Sequence, residues 1–201
     1  MKKIVLAILV FSSLIANSQN EMKSFRFYVS PSIHIGFFSP DEINEYIENA
    51  TSSLSLTSGN KEMMINFNGS LGFGFRFFNL AELQTVTEYS IAPKSFLVSN
   101  GENMSFTFSK FTAGLMANIM IPLSTNERRI SAIIGGGILY HNMSFEEYQA
   151  AKVAPRIQAG LSLNNNKFNP QILISYDMAK ADDNGFELDY SGVRIGVHLN
   201  F

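Results

Sequence analysis

The chain has no cysteine and no tryptophan, and charged residues make up only 16% of its 201 positions. Without cysteine there are no disulfides and no lipid on an N-terminal cysteine, so an exported form of this chain is held together by other means. The charge content is low against the quarter or so usual in soluble domains. Fifteen Lys and Arg set against 17 Asp and Glu give a net charge of −2, which excludes a broad electrostatic pull toward nucleic acid. Long apolar runs are missing too. Mean hydropathy is only +0.07. Beyond the extreme N-terminus there is no stretch of the roughly 20 apolar residues that a membrane-spanning helix needs. What the chain has in quantity is phenylalanine, 18 residues of it.

The N-terminus reads as an export signal. Lys2 and Lys3 form a charged start, Ile4 to Phe11 an apolar core, and Ala16-Asn17-Ser18 a small-residue cleavage site. The expected division is a signal peptide over 1–18, cleaved after Ser18, and one domain over 19–201.

The rest alternates with period two, the signature of strands rather than helices. The first strand, about Phe25 to Phe38, sets Phe25, Phe27, Val29, Ile33, Ile35 and Phe37 against Arg26, Tyr28, Ser30, Ser32, His34 and Gly36. The second, about Met63 to Phe77, sets Met63, Ile65, Phe67, Leu71, Phe73, Phe75 and Phe77 against Asn66, Asn68, Ser70, Gly72, Gly74 and Arg76. Strands are also predicted at about 82–92, 108–121, 130–140, 153–163 and 171–178. The last, GVRIGVHLNF, carries Val193, Ile195, Val197, Leu199 and Phe201 opposite Arg194, Gly196, His198 and Asn200. Pro31 and Pro155 read as strand-end or bulge positions, because proline cannot donate to a ladder.

Eight strands close into an antiparallel barrel, and the connections alternate. Phe78–Ala81, Pro122–Arg128 and Asn164–Asn169 are short; Ser39–Glu62, Pro93–Ser105, Asn142–Ala151 and Lys180–Glu187 are generally longer. Outer-membrane barrels show this asymmetry between periplasmic turns and external loops. The polar face is rich in Gly, Ser and Asn with charges placed singly, unlike a water-facing surface, which carries far more Lys and Glu. Aromatics crowd the strand ends. Phe25, Phe27, Phe75, Phe77, Phe168 and Phe201 mark one rim and Tyr140, Tyr176 and Tyr190 the other, as interfacial girdles do. The apolar face is therefore expected to point outward and the polar face into the lumen.

On these residues the chain resembles the small eight-stranded outer-membrane barrels of the OmpX and OmpA-transmembrane-domain type. The terminal strand ending on Phe201 looks like the C-terminal insertion signal of that group. The resemblance implies a bacterial outer-membrane location and contact with membrane lipid and lipopolysaccharide. It also implies that Val193, Ile195, Val197, Leu199 and Phe201 are read by the barrel-assembly machinery.

The lumen has its own expected chemistry. Arg26, Arg76, Glu82, Glu88, Lys110, Arg156, Asp177 and Arg194 all fall on the polar face. Hairpin register places Arg156 opposite Asp177 and Arg76 opposite Glu82. Lys110 and Glu88 come to similar heights, and Arg194 approaches Asp177. Unpaired charges in a narrow lumen are costly, and an eight-stranded interior is just wide enough to be filled by side chains. The expected result is a polar plug. His34 and His198 are expected at opposite ends of the lumen, too far apart to share a metal, and His141 stands near the outer rim. Gly69 to Phe75 and Gly135-Gly136-Gly137 lack the strand–loop–helix context of a nucleotide site. The Asn-x-Ser/Thr triplets at Asn49, Asn68, Asn103 and Asn142 read as chance. Ser144, His141 and Glu146 are close in sequence, but no hydrolase signature accompanies them. No cofactor, metal or enzymatic activity is expected.

One segment breaks the strand pattern. In SPDEINEYIENA, Ser39 and Glu42 have capping-box spacing, Pro40 suits a first turn, and Asp41 and Glu42 complement the helix dipole. Ile43, Tyr46, Ile47 and Ala50 form one apolar stripe. A short helix in the first external loop is predicted, its stripe capping the barrel mouth or docking a partner. Together these features point to a non-enzymatic barrel acting through its external loops, or as a subunit of an outer-membrane assembly. A narrow channel for ions or small solutes is the alternative.

Overall fold

The computed structural model describes residues 25–51, 56–58, 64–78, 80–98, 103–123, 129–164 and 169–201. The expected signal peptide, Met63 and Phe168 lie outside them. The elements are β1 (Phe25–Phe38), α1 (Asp41–Thr51), β2 (Leu56–Ser58), β3 (Met64–Phe77), β4 (Ala81–Val98), β5 (Asn103–Pro122), β6 (Arg129–Phe145), β7 (Tyr148–Asn164), β8 (Asn169–Asp177), β9 (Lys180–Asp183), β10 (Phe186–Asp189) and β11 (Gly192–Asn200).

Eight strands (β1, β3 to β8 and β11) each pair antiparallel with the next, and β11 returns to pair with β1. The result is a closed, up-and-down barrel with one short helix after its first strand. β2 extends the sheet beside β4, and β9–β10 form a separate hairpin. Followed once round, the register returns to β1 about ten residues along, the stagger that tilts the strands and closes the sheet. β11 consequently lies against only the far part of β1. Phe38 faces Gly192 and Ser32 faces His198, and Phe201 exchanges backbone hydrogen bonds with Val29 at 3.0 and 3.2 Å.

Neither proline ends a strand or forms a bulge. Pro31 sits inside β1 and Pro155 inside β7, each regularly paired on one side, with Leu71 and Ile138 respectively. Each stands where the other ladder loses a bond. The regular β1–β11 pairs end at Ser32, with bonding resumed only between Val29 and Phe201, and the β7–β8 pairs end at Arg156, one position before the Met178 N–H donated to the Pro155 carbonyl.

The alternation faces as expected along the barrel wall. Ile33, Phe67, Leu115, Ile134, Ile157 and Ile174 are all exposed outward, while the polar residues between them are buried. Val193, Ile195, Val197 and Phe201 are exposed and Leu199 half-buried on the same outer face. Above the band the pattern inverts. β4 to β7 run for 18, 20, 17 and 17 residues, more than the 9–11 or so that cross a bilayer. Past Tyr89 and Ile91 the outward positions of β4 become Pro93 and Ser95, while Ala92 and Phe96 turn in. On β5, Phe106 and Phe108 point in and Ser105 and Thr107 out. On β6, Met143 and Phe145 point in. Much of Pro93–Ser105 and Asn142–Ala151, expected as loops, is therefore strand, and Lys180–Glu187 is mostly the β9–β10 hairpin. Alternation continues there with its faces exchanged, apolar residues turning in and polar residues out.

The inverted region encloses an aromatic core. α1 lies over it with Ile43 and Ile47 fully buried beside Phe38, Met64, Phe96, Phe106, Phe108 and Phe145. Tyr46 meets Phe106 and Phe145 edge-on. The stripe of α1 therefore caps the mouth from within, which leaves Ile43 and Ile47 unavailable for docking. Glu42 accepts a hydrogen bond from the Glu187 backbone N–H, tying the helix to the β9–β10 hairpin. Tyr190 does not join the rim. The chain turns inward there, its N–H bonded to the Ala179 carbonyl at 2.7 Å, and its ring is buried against Phe38 and Phe108. It is part of the core, not of a rim girdle. Tyr140 and Tyr176 do face outward.

Glycine at 74 has a specific cause. Tyr28 lies opposite it in the register and lays its ring across the space a side chain would occupy. The Tyr28 hydroxyl donates to Gln84 Oε1 at 3.1 Å. Gly74→Leu is expected to destabilise the barrel by roughly 1–3 kcal/mol through overpacking. The urea midpoint of the folded band on unboiled gels reads this; a wild-type midpoint would contradict the packing.

Candidate functional site

Five charged side chains from five strands converge inside the barrel: Glu88 on β4, Lys110 on β5, Arg156 on β7, Asp177 on β8 and Arg194 on β11. Each is at most 3% exposed. Arg156 is opposite Asp177 in the register and bonds it through Nε and, at 3.0 Å, through Nη2. Its Nη1 reaches Glu88 Oε2 at 3.2 Å. Arg194 Nη1 pairs with Glu88, and its Nε lies 3.7 Å from Asp177 Oδ2. Lys110 is not the partner of Glu88. It sits opposite Ser90, two positions off, and crosses to Asp177 Oδ2 at 2.8 Å, with its ammonium 5.2 Å from the Tyr190 ring centre.

Nearer the termini lies a second group. Arg76 and Glu82 are register partners and form an ion pair. Glu82 also accepts from Asn118 at 3.3 Å and from Gln171 at 3.1 Å, and Gln158 donates to Asn118 Oδ1 at 2.7 Å. Arg26 lies opposite Arg76, half-buried and apart from the five-charge cluster. The amides and Ser90, which donates to Asn68, carry no charge to mark them, but their shared parity with the charges was the available signal.

The two lumen histidines do meet. His34 Nε2 and His198 Nε2 are 2.9 Å apart. Judged by distance from their own strand ends they belong at opposite rims. The barrel stagger slides β11 along β1 until His198 faces Ser32 and His34 faces Gly196. Even so, no three His, Asp or Glu side chains among the described residues are grouped to hold a metal. His141 points inward, its Nδ1 3.0 Å from Thr112 Oγ1. Ser144, three residues on, falls on the opposite face of β6, so parity separates the two groups that sequence proximity suggested.

This geometry compensates all but one formal positive charge within a closed ring of partners. Three cations share two carboxylates, and each carboxylate is held by two cations or more.

Compared with solved structures, the chain is similar to Neisserial surface protein A (NspA), with a TM-score of 0.52 at 8% identity, covering 90% of this chain and 98% of that one. The likeness is one of fold. Ail, the attachment invasion locus protein of Yersinia pestis, aligns over 90% of this chain and 100% of its own at 13% identity, but with a TM-score of only 0.39. No family model and no curated protein sequence matches the chain. The architecture expected from alternation and connection lengths, eight antiparallel strands in a closed barrel, is thus the architecture shared with NspA.

Removing one member of a buried charge cluster strands the rest. Asp177→Asn is expected to cost roughly 3–5 kcal/mol. Lys180→Ala, in a pair whose lysine is 52% exposed, is expected to cost less than about 1 kcal/mol. Urea unfolding in detergent compares them; equal losses would mean that the lumen charges are hydrated.

Proposed function

We propose that the chain is an integral outer-membrane β-barrel of a Gram-negative bacterium whose lumen is plugged by its own side chains. It carries out no chemistry within the barrel and acts as a structural or interaction protein through its loop-end cap, alone or as an accessory subunit of an outer-membrane assembly. The observation that carries this reading is the Glu88–Lys110–Arg156–Asp177–Arg194 cluster, bonded across the lumen from five strands beneath the aromatic core that α1 covers. An eight-stranded interior leaves little section beyond what such side chains fill.

The band of exposed Phe, Ile, Leu and Val supports a lipid-facing wall, with lipopolysaccharide around the outer rim. The outward row ending at Phe201 supports recognition by the barrel-assembly machinery during insertion, after removal of the 1–18 signal. A narrow channel is the competing reading. Ion pairs that face each other across the path oppose it, because a permeating ion would have to break bonds that the low-dielectric interior strengthens.

Purified full-length chain reconstituted in planar bilayers is expected to give no stepwise conductance in symmetric potassium chloride. Stable, reproducible steps from folded protein would overturn the plug and establish the channel.

A further inference from the structure

Three half-exposed aromatic rings meet on the cap. Tyr46 comes from α1, Tyr148 from the start of β7 and Phe186 from the start of β10. Tyr148 and Phe186 stack, with centroids 4.0 Å apart and 15° between their planes. Tyr46 stands edge-on to them at 6.1 and 5.9 Å. Glu146 and Glu147 form the β6–β7 turn just before Tyr148, and both are exposed. Partial burial, followed by the charges of Glu147 and Glu146, raises the pKa of the Tyr46 phenol. Asp183 adds a third acid, its Oδ2 accepting from the Gln149 backbone N–H at 2.9 Å. Lys180, on the same hairpin as Asp183, is engaged with Glu187 at 2.6 Å.

We infer that this face docks a cationic polypeptide segment, rich in arginine or lysine. Its charged groups rest on the rings of Tyr46, Tyr148 and Phe186 and pair with Glu146, Glu147 and Asp183. The inference rests on the proposed role of the cap as an interaction surface and names the partner's chemistry. Ring faces attract cations, more strongly where water is partly displaced. The acids beside them supply charge complementarity and steer a basic partner on approach. The same acids repel the anionic lipid surface, so the face is directed at something other than headgroups. No three of the carboxylates converge as metal ligands do, and a spread of charge suits several side chains of one segment better than a single ion. Ile43 and Ile47 of the α1 stripe are already spent on the core, whereas Tyr46 of the same stripe keeps part of its ring outward.

The test is titration of the full-length chain, in a neutral detergent, with a fluorescein-labelled oligoarginine peptide. Saturable binding that weakens as salt rises is expected. E146Q and E147Q together should weaken it roughly tenfold, and Tyr148→Leu, which keeps the apolar bulk, about threefold. The heat-dependent gel shift of each variant checks that the barrel is folded. No binding at low salt would overturn the inference, as would equal affinity for wild type and the double glutamine variant. Displacement by magnesium at constant ionic strength would also overturn it and make the face a cation site. None of these substitutions touches the lumen. A failed titration therefore counts against the cationic partner alone, and the conductance measurement remains the judge of the plugged barrel.

Discussion

The ladder between β11 and β1 closes the sheet, and its register fixes how every strand is staggered against the rest. A shift of two residues would keep each face outward or inward, because side chains alternate with period two. It would still move Arg194 away from Glu88 and His198 away from His34. Closure therefore decides which buried charges meet. The seven hairpin-linked pairings can be worked out locally; this eighth joins the two ends of the domain, with Phe201 bonded to Val29. It is also why the terminal strand matters beyond any role as an address: until it pairs, the lumen charges lack a wall.

Two solvents shape the same strands. Along the band, β4, β5 and β7 put Leu83, Leu115 and Ile157 outward and charges inward, while β6 puts Ile134 outward and Ile133 and Leu139 inward. Above it they put Ser95, Ser105 and Gln149 outward and Phe96, Phe106 and Phe145 inward. In the proposed membrane setting hydrophobic burial operates in both halves, and only the location of water differs. The barrel thus encloses its charges beside two small apolar clusters, Val86–Met116–Leu139 and Met120–Ile133–Leu173, with a larger apolar core on top. α1 belongs to the second part, where its stripe finds the aromatic core it needs. The cap can present polar and aromatic groups outward because its own core is already filled.

Strand number, the outward face, the short helix and two ion pairs were legible in the sequence, each for a local reason. Alternation marked the strands, and the sparsely charged Gly-, Ser- and Asn-rich face between aromatic strand ends marked which face turns inward. Ser39, Pro40 and Glu42 marked the helix start. The short turns between β3 and β4 and between β7 and β8 set Arg76 against Glu82 and Arg156 against Asp177. The misreadings share a cause as well. From sequence the strand extensions of β4 to β7 read as loops because their polarity inverts, and Tyr190 reads as a girdle residue because aromatics near a strand end suggest a rim. Ser144 and His141 looked close because proximity along a strand ignores parity.

By itself, then, the sequence determined that this chain makes a closed barrel with lipid-type residues outside and charges inside. That information lies in period-two alternation and in hairpins whose registers are set by short turns. Tertiary structure alone decided that Lys110 crosses to Asp177, that His34 touches His198, and that the stripe of α1 turns inward and the acids and rings of the cap gather on one face. Those contacts join residues separated by much of the chain. They depend on the stagger of the closed sheet, a quantity that accumulates round all eight strands and is written in no single one of them.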